Sequence, residues 1–336
     1  MKRYGPLYER ICDPDNVMQA HLGARKGKSN YWEVREVDKA PHRYVASIVN
    51  MLENHLYRTS PYKVFRKWDS GKEREIYVLP YYPDRIVQWA VVRVLEPIWE
   101  RTLIAQTYSS LKGRGIHQGL RHLQRALQDV DGTKYCLKLD VRKFYPSIDH
   151  NILKRVVRRS IKDPEVLGLL DDTIDSVPDG RGVPIGNYLS QYFGNLYLSG
   201  LDHWLKEARG VRHYFRYCDD LVLLGPDKAE LHQLRRDIDA YLRDELRLEL
   251  KDNWQVFPTR VRGIDFLGYR SFGDYTLLRE STAQRMKAVM RGIMERGWDE
   301  TARGQVASYR GWMQWCDASG LDARYVAPAA ALGGIA

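Results

Sequence analysis

Two adjacent aspartates, Asp219 and Asp220, stand between the runs Tyr214 to Tyr217 and Leu221 to Leu224, and a third, Asp140, closes the β-like run that begins at Tyr135. Short β-branched, aromatic and aliphatic runs around a polar pair predict a β-hairpin with Asp219-Asp220 at or near its turn. An isolated Asp-Asp pair also suits an ordinary surface turn. Here both flanks are apolar strands, and like charges held together repel and shift each other's pKa unless a cation lies between them. Hard divalent cations prefer oxygen ligands, and Mg2+ is ordinarily held by one or two carboxylates plus substrate phosphates. If Asp140 lies on the strand beside the hairpin, the three carboxylates converge on a site for two ions about 3.5–4 Å apart, an arrangement suited to in-line displacement at phosphorus.

The 336 residues hold 53 Lys and Arg against 43 Asp and Glu, a net charge of +10 that favours a polyanionic partner without naming one and that also suits an ordinary solvated basic surface. No apolar run approaches the roughly 20 residues that span a bilayer, and no low-complexity tract is present. The cysteines, Cys12, Cys136, Cys218 and Cys316, are too sparse for a disulfide framework and too far apart for a zinc motif. Free thiols and the lack of a signal-peptide pattern at the start lead to the expectation of a cytoplasmic protein with no membrane contact.

Along the chain, helical spacing of Val45, Ile48, Val49 and Leu52 predicts a helix over Tyr44–Leu56, and a longer amphipathic pattern predicts one over Asp84–Thr102. Between them, Tyr62 to Phe65, the turn Asp69-Ser70-Gly71 and Arg74 to Leu79 read as a hairpin with a basic tip. The window 101–128 carries Arg101, Lys112, Arg114, Arg121 and Arg125 with no acid, beside Tyr108, His117 and His122. Basic residues among rings are what a phosphate-tracking surface needs. Further β-like runs lie at 135–141, 214–217, 221–224 and 263–269. They are followed by helices over Ser281–Arg296, with a Ser N-cap and a Met286, Val289, Met290, Ile293 stripe, and over Thr301–Cys316. The stretch from Pro328 reads as a loose tail.

Leu139-Asp140-Val141 with Tyr217-Cys218-Asp219-Asp220 resembles the two metal-binding motifs of reverse transcriptases. Arg74-Glu-Ile with Asp84-Arg-Ile-Val-Gln88, and Tyr108 to Gln118, are similar to the fingers of prokaryotic members, and Gly263 to Tyr269 to the strand pair after the palm. The resemblance implies a right-hand α+β polymerase. Its expected parts are an N-terminal extension (1–60), fingers (61–132), a palm with an antiparallel sheet (133–280, a fingers insertion at about 150–182), a short helical thumb (281–326) and a tail (327–336). It implies RNA-directed DNA synthesis with two Mg2+ ions, Mn2+ being the alternative, held by Asp140, Asp219, Asp220 and the Val141 backbone. Val183-Pro-Ile185-Gly186-Asn-Tyr-Leu-Ser190-Gln191 has Ile where most members carry Gln, and resembles the enzymes of diversity-generating retroelements. That implies adenine-mutagenic copying of a template-repeat RNA, with a small, basic, oligomeric accessory protein. It also implies no fused RNase H or maturase region, for which the residues after Ser281 leave no room. Group II intron-like, retron-like or phage-defence reverse transcriptases, and a non-catalytic RNA-binding relic, are the alternatives.

The resemblance also assigns roles. Lys72, Arg74, Tyr145, Ile185, Gly186 and Gln191 are expected around the incoming dNTP, with Tyr145 as the gate against ribonucleotides; by chemistry alone Tyr145 is equally a core tyrosine, and Lys72 an exposed turn charge. Lys112, Arg114, His117, Arg121, Tyr217 and Gly268 are expected along template RNA and the cDNA primer or product. Trp254 stands where the family places a general-acid lysine, which leaves Lys251 a doubtful one. Cys218 is expected to pack near the primer end.

Overall fold

The structure is a computed structural model that describes residues 2–69 and 72–334. The chain forms two compact units, one of Met1–Ser110, Val141–Gly210 and Asp237–Lys251, the other of Leu111–Asp140, Val211–Arg236 and Asp252–Ala336.

In the first unit the N-terminal sixty residues are four helices, Tyr8–Cys12, Pro14–Ala24, Trp32–Lys39 and Pro41–Glu53. The last begins earlier than its apolar spacing suggests, because Pro41 is tolerated at a first helical position and Ala40 is non-helical. The Pro14–Ala24 helix packs on Ile86–Trp99, where Asn16 donates to the Ala90 carbonyl at 3.1 Å and accepts from Arg93. Strands β1 (Lys63–Asp69) and β2 (Lys72–Val78) form the expected antiparallel hairpin. Its turn residues Ser70 and Gly71, and the side chains of Lys72 and Arg74, lie outside what is described. Helix Tyr188–His203 is buried along most of its length.

Asp163 ties this unit's N-terminus down. Its carboxylate accepts from the backbone N–H groups of Leu7 (2.5 Å), Tyr8 (3.0 Å), Glu165 (3.1 Å) and Val166 (3.3 Å), capping the Pro164–Asp175 helix from outside. Burial pushes this carboxyl up, but the four donors outweigh it and hold the pKa below its ordinary value. A depressed carboxylate stabilises above its unfolded pKa, and that stability is lost as pH falls through the folded value. Asp163→Ala is therefore expected to cost about 3 kcal/mol at neutral pH through the lost cap and orphaned amides. The denaturation midpoint reads this cost, which should begin to shrink as pH falls below the ordinary aspartate range and vanish below the folded carboxylate's depressed value. A penalty unchanged in acid would contradict the account.

In the second unit β3 (Tyr135–Asp140), β4 (His213–Tyr217), β5 (Asp220–Gly225) and β6 (Gln255–Pro258) form an antiparallel sheet in the order β4-β5-β3-β6. Leu137, Leu139, Leu221, Val222 and Leu223 are buried in it, whereas Lys138, Asp140 and Asp220 are only partly covered. A three-stranded sheet follows: β7 (Ile264–Phe266), β8 (Tyr269–Ser271) and β9 (Thr276–Leu278). The 263–269 run is thus a tight hairpin.

The helices beyond it run Glu280–Arg296 and Glu300–Met313. Ser281 does not cap the first, whose cap position is Arg279 without a side-chain bond, while Asp299 caps the second by accepting from Ala302. Met286, Met290 and Ile293 form the expected core stripe with Val306 and Met313, and Val289 packs at its margin. The stretch expected as a tail is instead a short helix, Ala327–Ala331, with Ala329 and Ala330 fully buried in the same core. Small side chains let this backbone pack closely, so a composition that reads as loose seals the helical layer. Among the described residues no helix is long and apolar enough to cross a membrane.

Candidate active site

The sheet of the second unit places the three aspartates. Tyr217 pairs with Asp220 across β4 and β5, which leaves Cys218 and Asp219 as a two-residue loop. Asp220 in turn lies directly opposite Asp140 on β3. Opposed carboxylates on neighbouring strands are unfavourable by themselves. Burial, and then the neighbouring Asp140 and Asp219, push the Asp220 carboxyl up to about 6 against the opposing pull of Lys138. Its Oδ1 is buried without a hydrogen-bond partner, while Oδ2 lies 3.4 Å from Lys138 Nζ.

An orphaned carboxylate oxygen facing a second carboxylate is a donor set that suits a hard divalent cation. Among the described residues no three His, Cys, Asp or Glu side chains are gathered closely enough to hold an ion alone. The cross-strand pair provides the one or two carboxylates that Mg2+ ordinarily takes, with phosphate oxygens as the remainder.

The loop itself is held from below. Cys218 has φ +53, a left-handed backbone that non-glycine residues adopt at a cost. Arg216, fully buried on β4, donates from Nη1 to the Cys218 carbonyl at 3.0 Å. Neither Arg216 nor Lys138 is singled out by the sequence reading. The signal available was a cation inside an otherwise apolar strand, Tyr214-Phe-Arg-Tyr217 and Cys136-Leu-Lys-Leu139.

A cleft of about 730 Å³ adjoins the site in the same unit, lined among others by Tyr217, Asp220, Gly268, Arg279, Arg285 and Trp312. Leu267 and Gly268, at φ +57 and +87, form a primed two-residue turn between β7 and β8. A Cβ on Gly268 would stand 2.6 Å from the Trp312 ring, so only glycine fits. Arg279 caps the arrangement, its N–H bonding the Gly268 carbonyl and its guanidinium the Asp265 carboxylate at 2.6 Å.

The expected site residues separate by unit. Asp140, Asp219, Asp220, Lys112, Arg114, His117, Arg121, Tyr217 and Gly268 fall in the second; Lys72, Arg74, Val141, Tyr145, Ile185, Gly186 and Gln191 fall in the first. Lys112 and Arg121 are exposed, and His117 stacks on Trp315 at 4.5 Å with Arg121 over the same indole. Inside the first unit, Tyr77 of β2 donates to the Ile185 carbonyl at 3.2 Å, and Val183 donates to the Tyr145 carbonyl at 3.0 Å. The Tyr145 ring lies against Gly194 of the Tyr188–His203 helix. The hairpin strand, the Val183–Gly186 loop and Tyr145 are thereby one neighbourhood, with Gln191 exposed on the adjoining helix. Val141 is buried and bridges to Leu250. Trp254 packs beneath Arg235 (4.7 Å) and edge-on to His232 (5.7 Å).

A family model described as reverse transcriptase (RNA-dependent DNA polymerase) matches residues 65–271. The chain belongs to this reverse transcriptase family. Among curated proteins it is similar to YkfC of Escherichia coli K12, 27% identical over 262 residues that cover 66% of this chain and 68% of that one. It is also similar to the group II intron-encoded protein LtrA of Lactococcus lactis subsp. cremoris, 21% identical over 83% of this chain and 58% of LtrA. Among solved structures, apo telomerase from Candida tropicalis aligns with a TM-score of 0.52 at 12% identity, over 69% of this chain and 50% of that one. This chain spans about half the length of that telomerase chain, and the likeness shows a shared reverse transcriptase fold of helices and antiparallel sheet.

Proposed function

We propose that this chain is an RNA-directed DNA polymerase, a reading carried by the Asp140–Asp220 cross-strand pair beside the Asp219 loop. Asp140, Asp219, Asp220 and the Val141 backbone would hold two divalent cations, Mg2+ by preference. Bound there, the ions would supply Lewis acidity for attack of a primer 3′-oxygen on the α-phosphorus, with the bond to pyrophosphate breaking in line. Lys72 and Arg74 would bind the triphosphate, the Arg fork suiting phosphate oxygens. Tyr145 would lie against the sugar and exclude ribonucleotides, with Gly186 and Gln191 beside the nucleotide. Lys112, Arg114, His117 and Arg121, with Tyr217 and Gly268, would track template RNA and primer. Trp254 has a packing role, so the proton for pyrophosphate comes from elsewhere. Primer extension on an RNA template, dependent on Mg2+ or Mn2+ and on dNTPs, tests the reading; a chain that binds RNA and never extends is the non-catalytic relic.

The finer reading is a diversity-generating retroelement enzyme, mutagenic opposite adenine, working in the cytoplasm with a small basic accessory protein. Its support is the Ile185-Gly186 loop, suspended from β2 through the Ile185 carbonyl. An apolar residue there offers shape but no hydrogen-bond check, which narrows discrimination between right and wrong nucleotides. Ile185→Gln is expected to lower misincorporation opposite adenine by about tenfold, since a polar check is worth ~1–2 kcal/mol. Sequenced cDNA reads this directly, and an unchanged adenine error rate counts against it. The similarity to LtrA favours a second reading, a group II intron-like enzyme, which predicts no excess of errors at adenine in the wild type.

A further inference from the structure

Lys138 shares a sheet face with Asp140 two residues on, and its Nζ stands 3.4 Å from Asp220 Oδ2. The same ammonium donates to the backbone carbonyl of Asp265 on β7. The Asp265 carboxylate is held by Arg279, whose own N–H is bonded to the carbonyl of Gly268 at the cleft. One side chain thus joins a candidate metal carboxylate to the hairpin that lines the cleft. All six residues belong to the second unit.

We propose that Lys138 is a positioning residue with two linked effects. It is a built-in counter-cation that partly neutralises Asp220 and competes with a divalent ion, and it holds the β7–β8 hairpin at a set distance from the carboxylates. A cation this close to a ligand oxygen opposes a second cation by simple Coulomb repulsion. An ion arriving at Asp220 displaces the ammonium toward its other acceptor, the Asp265 carbonyl, so metal occupancy and hairpin placement are coupled. Opposite effects of one substitution on two ligands follow from this arrangement, which a residue serving only to fill space would not produce.

The inference rests on the metal-site reading above, and the whole 336-residue chain separates the two. Mn2+ binding is followed by water-proton relaxation without nucleic acid, and primer–template binding by fluorescence anisotropy in Ca2+. Wild type should bind Mn2+ and lose that binding in Asp220→Asn; if it does not, the metal-site reading fails first. Given that site, Lys138→Met and Lys138→Gln should each bind Mn2+ about tenfold more tightly, while primer–template affinity falls severalfold. Lys138→Arg, which keeps the charge, should hold Mn2+ within about twofold of wild type. Mn2+ affinity unchanged or weaker in a neutral variant that melts like wild type overturns the proposal. So does loss of fold in both neutral variants, because a side chain whose role is electrostatic must be removable.

Discussion

Asp220→Asn and Asp219→Ala should each lower primer extension by about 10³-fold or more without lowering the melting temperature by more than a few degrees. The activity loss follows from removing an anionic donor where charge develops at the reacting phosphorus, a kind of electrostatic contribution worth several kcal/mol in comparable sites. The stability side follows from the sheet. Asp220 faces Asp140 directly, and its carboxyl is pushed up to about 6 by burial and by its acidic neighbours, so the ionised form is strained in the folded chain. An amide of the same shape removes that repulsion and gives up the contact with Lys138. Function bought at the expense of local stability is the usual signature of such a site. Retained extension by Asp220→Asn would remove the catalytic reading; a collapsed melting curve would mean that the aspartate is structural.

Arg216→Met should be the most damaging single change beneath the site, costing about 3 kcal/mol of stability and about 10²-fold in single-turnover extension. The guanidinium is fully buried and holds the carbonyl of Cys218, a residue at φ +53. Methionine keeps most of the volume but leaves that carbonyl without its donor, and the loop that carries Asp219 is then free to relax from its left-handed geometry. Arg216→Lys keeps a charge and loses the planar fork, so a partial loss is expected. Denaturant unfolding and pre-steady-state extension read the two effects separately. A stable, fully active Arg216→Met chain would show that the loop needs no such support.

Reading outward from the aspartates, the hairpin was legible because two apolar runs with a polar pair between them have few other ways to bury their side chains. The core stripe Met286, Met290, Ile293 was legible for a similar reason, at helical period. Strand β6 was not, because four residues ending in proline carry little periodic signal and Pro is confined to strand ends and edges. Ser281 misled as a cap because it lies inside the helix, after Glu280, and the cap position falls to Arg279, whose side chain makes no capping bond. Pro328 to Gly334 misled more seriously: alanine and glycine look like a loose end, yet Ala329 and Ala330 are fully buried in the helical core.

By itself the sequence determined the chemistry available: two adjacent carboxylates between apolar runs and a third ending another, a loop with Ile185 in place of a polar residue, and excess positive charge for a polyanion. Local pattern carries this because strand alternation and helix period are properties of neighbouring residues. Tertiary structure alone decided that Asp140 faces Asp220, that Lys138 reaches both Asp220 and the Asp265 carbonyl, and that Arg216 lies buried under the Cys218 loop. The first depends on strand register between segments some eighty residues apart, the second also on a hairpin farther along the chain, and the third on a charge being desolvated by its surroundings. A slip of one position in that register would turn the same aspartates to opposite faces of the sheet.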